Sequence, residues 1–213
     1  RVQHLVFFSC SIMYPSSDQP LREEDFDANQ PLKPYYFGAG WTKVYLEKMA
    51  EFFATTSKTR FTVLRHTNIY GPHDKFDLER SHMIGATITK ALSATDGKLV
   101  LWGNGEEVRD VLHVDDLTDA VLKALSRQAT PFELFNIGLG RAVPVRELAA
   151  QIVKASGRDL AIVCDTSKPS LPFKVALDCA KAERFLSWKP KIQPEEGLAQ
   201  TVAWRKSLLS GST

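Results

Sequence analysis

Short apolar segments alternate with longer amphipathic segments along this chain, and this alternation limits the possible folds more than any other sequence feature. Apolar segments rich in aromatic and branched residues predict strands at 5–9, 60–65, 98–103, 132–138 and 160–165. Continuous apolar runs are typical of strands that are covered on both faces in a parallel sheet. The sequence therefore predicts an α/β fold with a mainly parallel sheet.

Apolar positions at helical spacing predict the helices between these strands. The helices are one that starts at Trp41, 83–92, 113–125, a segment bounded by Pro144 and Gly157, 179–186 and 194–209. Pro144 and Pro194 suit first helical turns, where the missing N–H costs no hydrogen bond, and Gly157 suits a C-terminal cap. Helices and strands thus account for most of the chain.

Composition excludes several classes of partner. The 213 residues carry a net charge of only +2, from dispersed acids and bases, so we do not expect a nucleic-acid partner. No apolar run approaches the ~20 residues that cross a bilayer, so we expect no membrane partner. Cys10, Cys164 and Cys179 lack metal-ligand spacing, and an odd number of cysteines fits reduced thiols in the cytoplasm.

One acidic motif, HVDD at 113–116, could suggest a metal site. Asp115 and Asp116 lie side by side at a predicted helix start, where carboxylates cap the helix and complement its dipole. We therefore expect no metal there.

Eight segments of this chain resemble, in the same order along the sequence, the extended short-chain dehydrogenase/reductases of the NAD-dependent epimerase/dehydratase family. These enzymes act on nucleoside-diphosphate sugars. The match is strongest to the GDP-L-fucose synthase branch. The segments are FFSCSIMYP, GAGWTK, TNIYGPHDKFDLERSHMIGA, LVLWGNGEEVRDVLHVDDLTDAV, FNIGLG, VRELAAQI, SKPSLPFKVALD and FLSWKPKI. They span nearly the whole chain, so the resemblance implies an enzyme that uses NAD or NADP.

The resemblance implies a doubly wound, Rossmann-type sheet with a smaller α/β substrate-binding lobe. The chain lacks a G-x-x-G-x-x-G segment, and its first strand corresponds to about the fourth of the family. We therefore expect that the N-terminal half of the Rossmann domain is missing; the alternative is that the family resemblance survives without a working dinucleotide site. Residues 1–70 would be the C-terminal part of that domain, 71–103 and 138–181 the substrate lobe, and 104–137 and 182–213 segments that return to the Rossmann domain.

The family's catalytic tyrosine and lysine lie four residues apart, which places them on one helix face. Lys43 matches the lysine, but Ala39 stands at the tyrosine position and can exchange no proton. Two interpretations of Tyr35 and Tyr36 remain open. Both are packing residues, or the helix is interrupted before Trp41 and one of them turns into the site. The glycines on either side of Ala39 would allow such an interruption.

The resemblance also implies the remaining acid/base groups. Cys10 occupies the position whose hydroxyl usually contacts the reacting oxygen, with Ser9 beside it, and a thiolate there would be a stronger nucleophile or base. His82 matches the histidine that shares epimerisation in the fucose synthase branch. Its partner, a cysteine, is replaced by Ile12, so we do not expect that branch's epimerisation product.

The binding residues follow from the same resemblance. Lys43 would hold the nicotinamide ribose, and Ser9, His66 and Ile69 would contact the cofactor. The residues expected to bind the nucleoside-diphosphate sugar are Asn68, Lys90, Trp102, Arg109 and Lys174. Lysine and arginine form strong charge-assisted hydrogen bonds with phosphate.

The sequence thus predicts NAD(P)-dependent epimerisation, dehydration or keto-reduction of a nucleoside-diphosphate sugar. A rival is a catalytically silent sugar-nucleotide-binding protein, because of Ala39; an engineered alanine is a third possibility. A homodimer is expected through the helix that carries Lys43, with Val44 and Phe52 as candidate contacts.

Overall fold

The computed structural model describes residues 2–168, 170 and 173–211. The sequence segment SKPSLPFK, which carries part of the family resemblance, is therefore described only in part, because Pro169, Leu171 and Pro172 lie outside these residues.

Nine strands and six α-helices are found within the described residues. The strands are β1 His4–Phe8, β2 Arg60–His66, β3 Asn68–Tyr70, β4 Lys98–Trp102, β5 Val108–Arg109, β6 Val111–His113, β7 Phe132–Ile137, β8 Val143–Pro144 and β9 Ala161–Asp165. The helices are α1 Phe37–Thr56, α2 Met83–Ser93, α3 Val114–Arg127, α4 Val145–Ser156, α5 Ala180–Leu186 and α6 Pro194–Ser210. The order and type of the longer elements confirm the sequence prediction.

The main sheet is parallel and has the strand order β1-β2-β7. Val63 of β2 belongs to a core with Ala50 of α1. The next residue, Leu64, belongs to a different core with Ala120 of α3 and Phe135 of β7. Because successive side chains of a strand point to opposite faces, helices cover the sheet on both sides. This confirms the α/β architecture with two helical layers.

A second region is built around a parallel pair of strands, β4 and β9. Its core joins Ile88 of α2, Leu99 of β4, Leu148 of α4 and Leu198 of α6, all fully buried. Short strands lie between the two regions: β3 pairs with β6, and β5 pairs antiparallel with β8. The division into a Rossmann part and a substrate lobe stays a prediction.

The start of α3 differs in part from the prediction. The N-cap residue is His113, whose ring Nδ1 accepts a hydrogen bond from the Asp115 N–H at 3.2 Å. The buried Asp116 carboxylate instead accepts hydrogen bonds from the N–H groups of Lys191 and Ile192, each at 3.0 Å. Asp116 therefore binds the segment that precedes α6 to helix α3, and it does not cap the helix.

The cysteines are all free, as predicted. Within the described part of the chain, no helix combines the length and apolar character that a membrane span requires. The same residues contain no cluster of three or more His, Cys, Asp or Glu that could hold a metal ion.

Candidate active site

Helix α1 places Lys43 at the carboxyl end of the main sheet. The Lys43 ammonium donates a hydrogen bond to the Phe8 carbonyl at 2.6 Å and lies 4.9 Å from the centre of the Phe7 ring. Both aromatic residues end β1. In open α/β sheets this edge is where ligands bind.

The helix starts four residues earlier than predicted, at Phe37 rather than Trp41. Ala39 is therefore helical and lies one turn before Lys43, so its methyl group shares a helix face with that lysine. The glycine at position 40 does not interrupt the helix. It is buried, and a Cβ atom there would approach Leu32 Cδ1 to 2.6 Å. Gly40 thus permits close packing, and the helix runs without interruption from Phe37 through Trp41, so the alternative of a helix break directly before Trp41 is not found.

Cys10 lies just beyond β1, close to the Lys43 charge. Burial raises the pKa of the Cys10 thiol, while the backbone N–H of Ile12 and the Lys43 ammonium oppose the rise. The thiol form is thus favoured, and the thiolate role considered from the sequence is not.

His66 ends β2 near the same lysine. Its ring Nδ1 lies 2.7 Å from the Thr67 carbonyl oxygen, so this nitrogen is the one that carries a hydrogen in the neutral ring. Burial lowers the pKa of His66, and the positive charge of Lys43 lowers it further. Lys43, Cys10 and a neutral His66 therefore lie together at the carboxyl ends of β1 and β2.

Ser9 takes part in a buried network that the sequence did not predict. Its hydroxyl donates to Glu47 Oε1 at 2.5 Å, and Glu47 also accepts from Arg65 Nη2 at 2.7 Å. Arg65 in turn donates to the Tyr14 hydroxyl at 2.9 Å, and Tyr14 donates to Asn136 at 2.8 Å. Ser9 is fully buried in this network, which leaves Cys10 as the partly exposed residue of the pair.

A sequence signal for this network existed. Glu47 falls on the buried stripe of α1, with Val44, Ala50 and Ala54. A carboxylate on an apolar helix face must have a partner, because an unpaired buried charge is strongly unfavourable. The partner itself, Arg65, could not be read from the helix.

Tyr36 and Tyr35 occupy different environments just before α1. Tyr35 is 50% exposed, whereas Tyr36 is half-buried and its ring centre lies 5.9 Å from that of Phe173. Burial raises the pKa of the Tyr36 phenol, the positive charge of Arg109 opposes the rise, and Cys10 adds to it. Tyr36 is therefore the phenol near Cys10 and Arg109.

Arg109 lies on β5 and reaches Phe173. Its Nη1 donates to the carbonyl oxygens of Val108 at 2.8 Å and Phe173 at 3.1 Å. Tyr36 and Arg109 thus extend the group formed by Cys10, His66 and Lys43.

Lys90 and Trp102, both predicted to contact substrate, lie together at a second place. The Lys90 ammonium is 5.4 Å from the Trp102 ring centre and donates to the Val100 carbonyl at 3.3 Å. Burial lowers the pKa of Lys90, and Trp102 is exposed. The pair presents a cation beside an accessible aromatic surface.

The other predicted residues lie in separate surroundings. Exposed Asn68 donates to the Asp110 carbonyl at 2.9 Å, and Ile69 packs against the core beneath α3. The Lys174 ammonium forms an ion pair with the exposed Asp18 at 2.5 Å, so a carboxylate competes with any phosphate for this lysine. Exposed His82 is the N-cap residue of α2, whereas the group formed by Lys43 and Cys10 lies at the end of β1.

A parallel sheet between two helical layers, with a lysine, a thiol and a neutral histidine at its carboxyl edge, defines a Rossmann-type α/β protein. Residues 1–138 match the NAD dependent epimerase/dehydratase family, and the chain belongs to that family. The resemblance stated from the sequence is therefore confirmed.

Individual relatives agree with this assignment. The chain is 36% identical to GDP-L-fucose synthase of Sinorhizobium fredii, covering 94% of this chain and 64% of the relative. It is 32% identical to probable GDP-L-fucose synthase 1 of Oryza sativa subsp. japonica, covering 95% and 62%. The chain thus spans slightly less than two thirds of these curated relatives.

Solved structures give the same fold. UDP-glucose 4-epimerase of Thermotoga maritima, solved with UDP-glucose, matches with a TM-score of 0.84 and 30% identity over 98% of this chain and 65% of that one. MoeE5 in complex with UDP-glucose and NAD matches with a TM-score of 0.83 and 26% identity, over 98% and 66%.

Proposed function

We propose that this protein catalyses an NAD(P)-dependent reaction on a nucleoside-diphosphate sugar, with keto-reduction as the step that its site suits best. The observation that carries this proposal is the grouping of Lys43, Cys10 and His66 at the carboxyl ends of β1 and β2, with the Tyr36 phenol close to Cys10. The names of the relatives support a sugar linked to GDP or UDP.

The residues at this edge fit a nicotinamide cofactor. The Lys43 ammonium has three N–H donors and the Phe8 carbonyl accepts one, so donors remain for the hydroxyls of a nicotinamide ribose. His66, neutral and partly exposed, lies beside it. NAD or NADP would supply or accept the hydride, and Lys43 and His66 would hold its nicotinamide end.

Tyr36 would exchange the proton at the sugar oxygen, because Ala39 cannot. The Tyr36 phenol is protonated at neutral pH and can donate a proton in reduction; burial raises its pKa, and the positive charge of Arg109 opposes that rise and makes the phenol a stronger acid. Cys10 would hydrogen-bond the same oxygen as a thiol. Arg109 and Lys90 would bind the diphosphate and Trp102 the nucleoside. Ile12 and the exposed His82 favour reduction over epimerisation of the fucose synthase type.

The proposal is tested by giving full-length protein a panel of GDP- and UDP-linked keto sugars with NADH or NADPH, and following nicotinamide absorbance and product mass. We expect turnover of at least one sugar, and a loss of about 100-fold or more in Lys43→Met. Lys48→Met, an exposed lysine of the same helix, is the matched control. Sugar binding without turnover of any panel member would instead support the silent binding protein.

We propose that a homodimer forms through α1. Val44, named as a contact from the sequence, is only 7% exposed and packs inward, so that prediction is wrong. Tyr45, Phe52 and Phe53 are exposed apolar residues of the same helix. Tyr45→Glu with Phe52→Glu should convert a dimer to monomer in sedimentation measurements, because charged residues are unfavourable in an apolar interface. A monomeric wild-type protein would contradict the proposal.

The cytoplasm is the proposed location. The three free cysteines support a reducing compartment, in which thiols persist.

A further inference from the structure

Lys33 has an unusual environment for a lysine. Its ammonium lies 3.2 Å from the centre of the Phe173 ring, and the nitrogen is buried with no hydrogen-bond partner among the described residues. A lysine ammonium carries three donors and is strongly hydrated, so burying it without an acceptor is unfavourable. The aromatic ring compensates for only part of the lost hydration.

A second cation converges on the same aromatic residue. Arg109, from a distant part of the chain, donates to the Phe173 carbonyl at 3.1 Å. Burial lowers the pKa of Lys33, and the Arg109 charge lowers it further, as expected for two neighbouring like charges. Two neighbouring cations repel each other, and an anion between or beside them would stabilise both.

Nearby carboxylates have other partners. Asp25 and Asp27 line a cavity of about 300 Å³ beside Lys33. Asp25 accepts from the Arg22 N–H at 2.8 Å, and Asp27 accepts from the Asn29 N–H at 2.9 Å. Neither of them holds the Lys33 ammonium.

We infer that Lys33 and Arg109 together bind a phosphate group of the nucleoside-diphosphate substrate, at a position beside Phe173. This inference rests on the proposed function and adds Lys33 to the residues that recognise the substrate. Phosphate oxygens would supply the acceptors that the Lys33 ammonium lacks, through charge-assisted hydrogen bonds.

The position of Lys33 in the chain also links substrate binding to Tyr36. The Tyr36 N–H donates to the Lys33 carbonyl at 2.9 Å across the turn Pro34–Tyr36, and the Tyr36 ring contacts Phe173. A phosphate held by Lys33 would therefore fix the turn that carries the proposed proton donor. Lys33 would act on Tyr36 as a positioning residue.

The test measures binding to full-length protein by calorimetry, with GDP, UDP, inorganic pyrophosphate, guanosine and uridine as probes. Lys33→Met should weaken binding of the phosphate-containing probes about tenfold or more, and leave any guanosine or uridine binding unchanged. Lys33→Arg should retain most of the affinity because it keeps the charge. The control Lys58→Met, at an exposed lysine, should bind like wild type. Salt should weaken wild-type binding more than that of Lys33→Met.

Each outcome decides the inference. If Lys33→Met binds every phosphate probe within twofold of wild type, or if wild type binds none of them, the inference is wrong. If pyrophosphate and a nucleoside diphosphate bind in a Lys33-dependent way but no sugar panel member is turned over, the phosphate site stands and the proposed reaction fails.

Discussion

Replacing Tyr36 by phenylalanine should lower kcat about 10²–10⁴-fold and change KM little, because a proton donor acts mainly in the transition state. The substitution removes one oxygen and keeps the ring that contacts Phe173. The measurement is steady-state kinetics on whichever sugar the panel identifies. Since burial raises the pKa of the phenol, wild-type activity should persist at neutral pH and fall as the phenol ionises at higher pH.

The neighbouring tyrosine gives a matched control. Tyr35 is exposed and has the same chemistry, so Tyr35→Phe should keep nearly full activity. If Tyr36→Phe is as active as Tyr35→Phe, Tyr36 is not the proton donor. Ala39→Tyr then becomes the informative variant, because a large gain of activity would show that the usual position needs a phenol.

Replacing Glu47 by glutamine should lower the free energy of unfolding by about 3–5 kcal/mol, because it leaves the buried Arg65 charge without its carboxylate partner. Glu47 and Arg65 are both nearly fully buried and lie 2.7 Å apart. Ser9 would also lose a charged acceptor. Urea unfolding, followed by tryptophan fluorescence, measures the change.

A control for this prediction lies one turn further along α1. Glu51 pairs with Lys48 at 2.8 Å on the exposed surface, and Glu51→Gln should change stability by less than about 1 kcal/mol. Equal effects of the two glutamine substitutions would contradict the expected role of burial. Loss of Glu47 should also disturb Cys10, because Glu47 accepts a hydrogen bond from the adjacent Ser9. The effect of this substitution on activity is therefore a poor measure of chemistry.

The longer elements could be predicted because their signals are local. The strand β2 and the helix α4 were recognised from apolar runs and from helical spacing, and Gly157 ends α4 in a left-handed conformation as expected. Pro194 begins α6 in the same way. Each of these signals depends only on neighbours within a few residues.

The short strands had no such signal. Asn68–Tyr70 and Val111–His113 have three residues each, too few to show a period, and they are strands only because they pair with each other. The start of α1 was missed for a similar reason: Gly40, which weakens a helix in isolation, is required by the contact with Leu32.

The sequence by itself determined the α/β architecture, the family, and the presence of a lysine with no tyrosine four residues before it. Only the tertiary structure decided which groups surround that lysine. It paired Lys174 with Asp18, buried Ser9 against Glu47, and gathered Cys10, Tyr36 and Arg109. The reason is physical: helices and strands follow from local spacing, whereas ion pairs and pKa shifts depend on groups that folding brings together from distant positions.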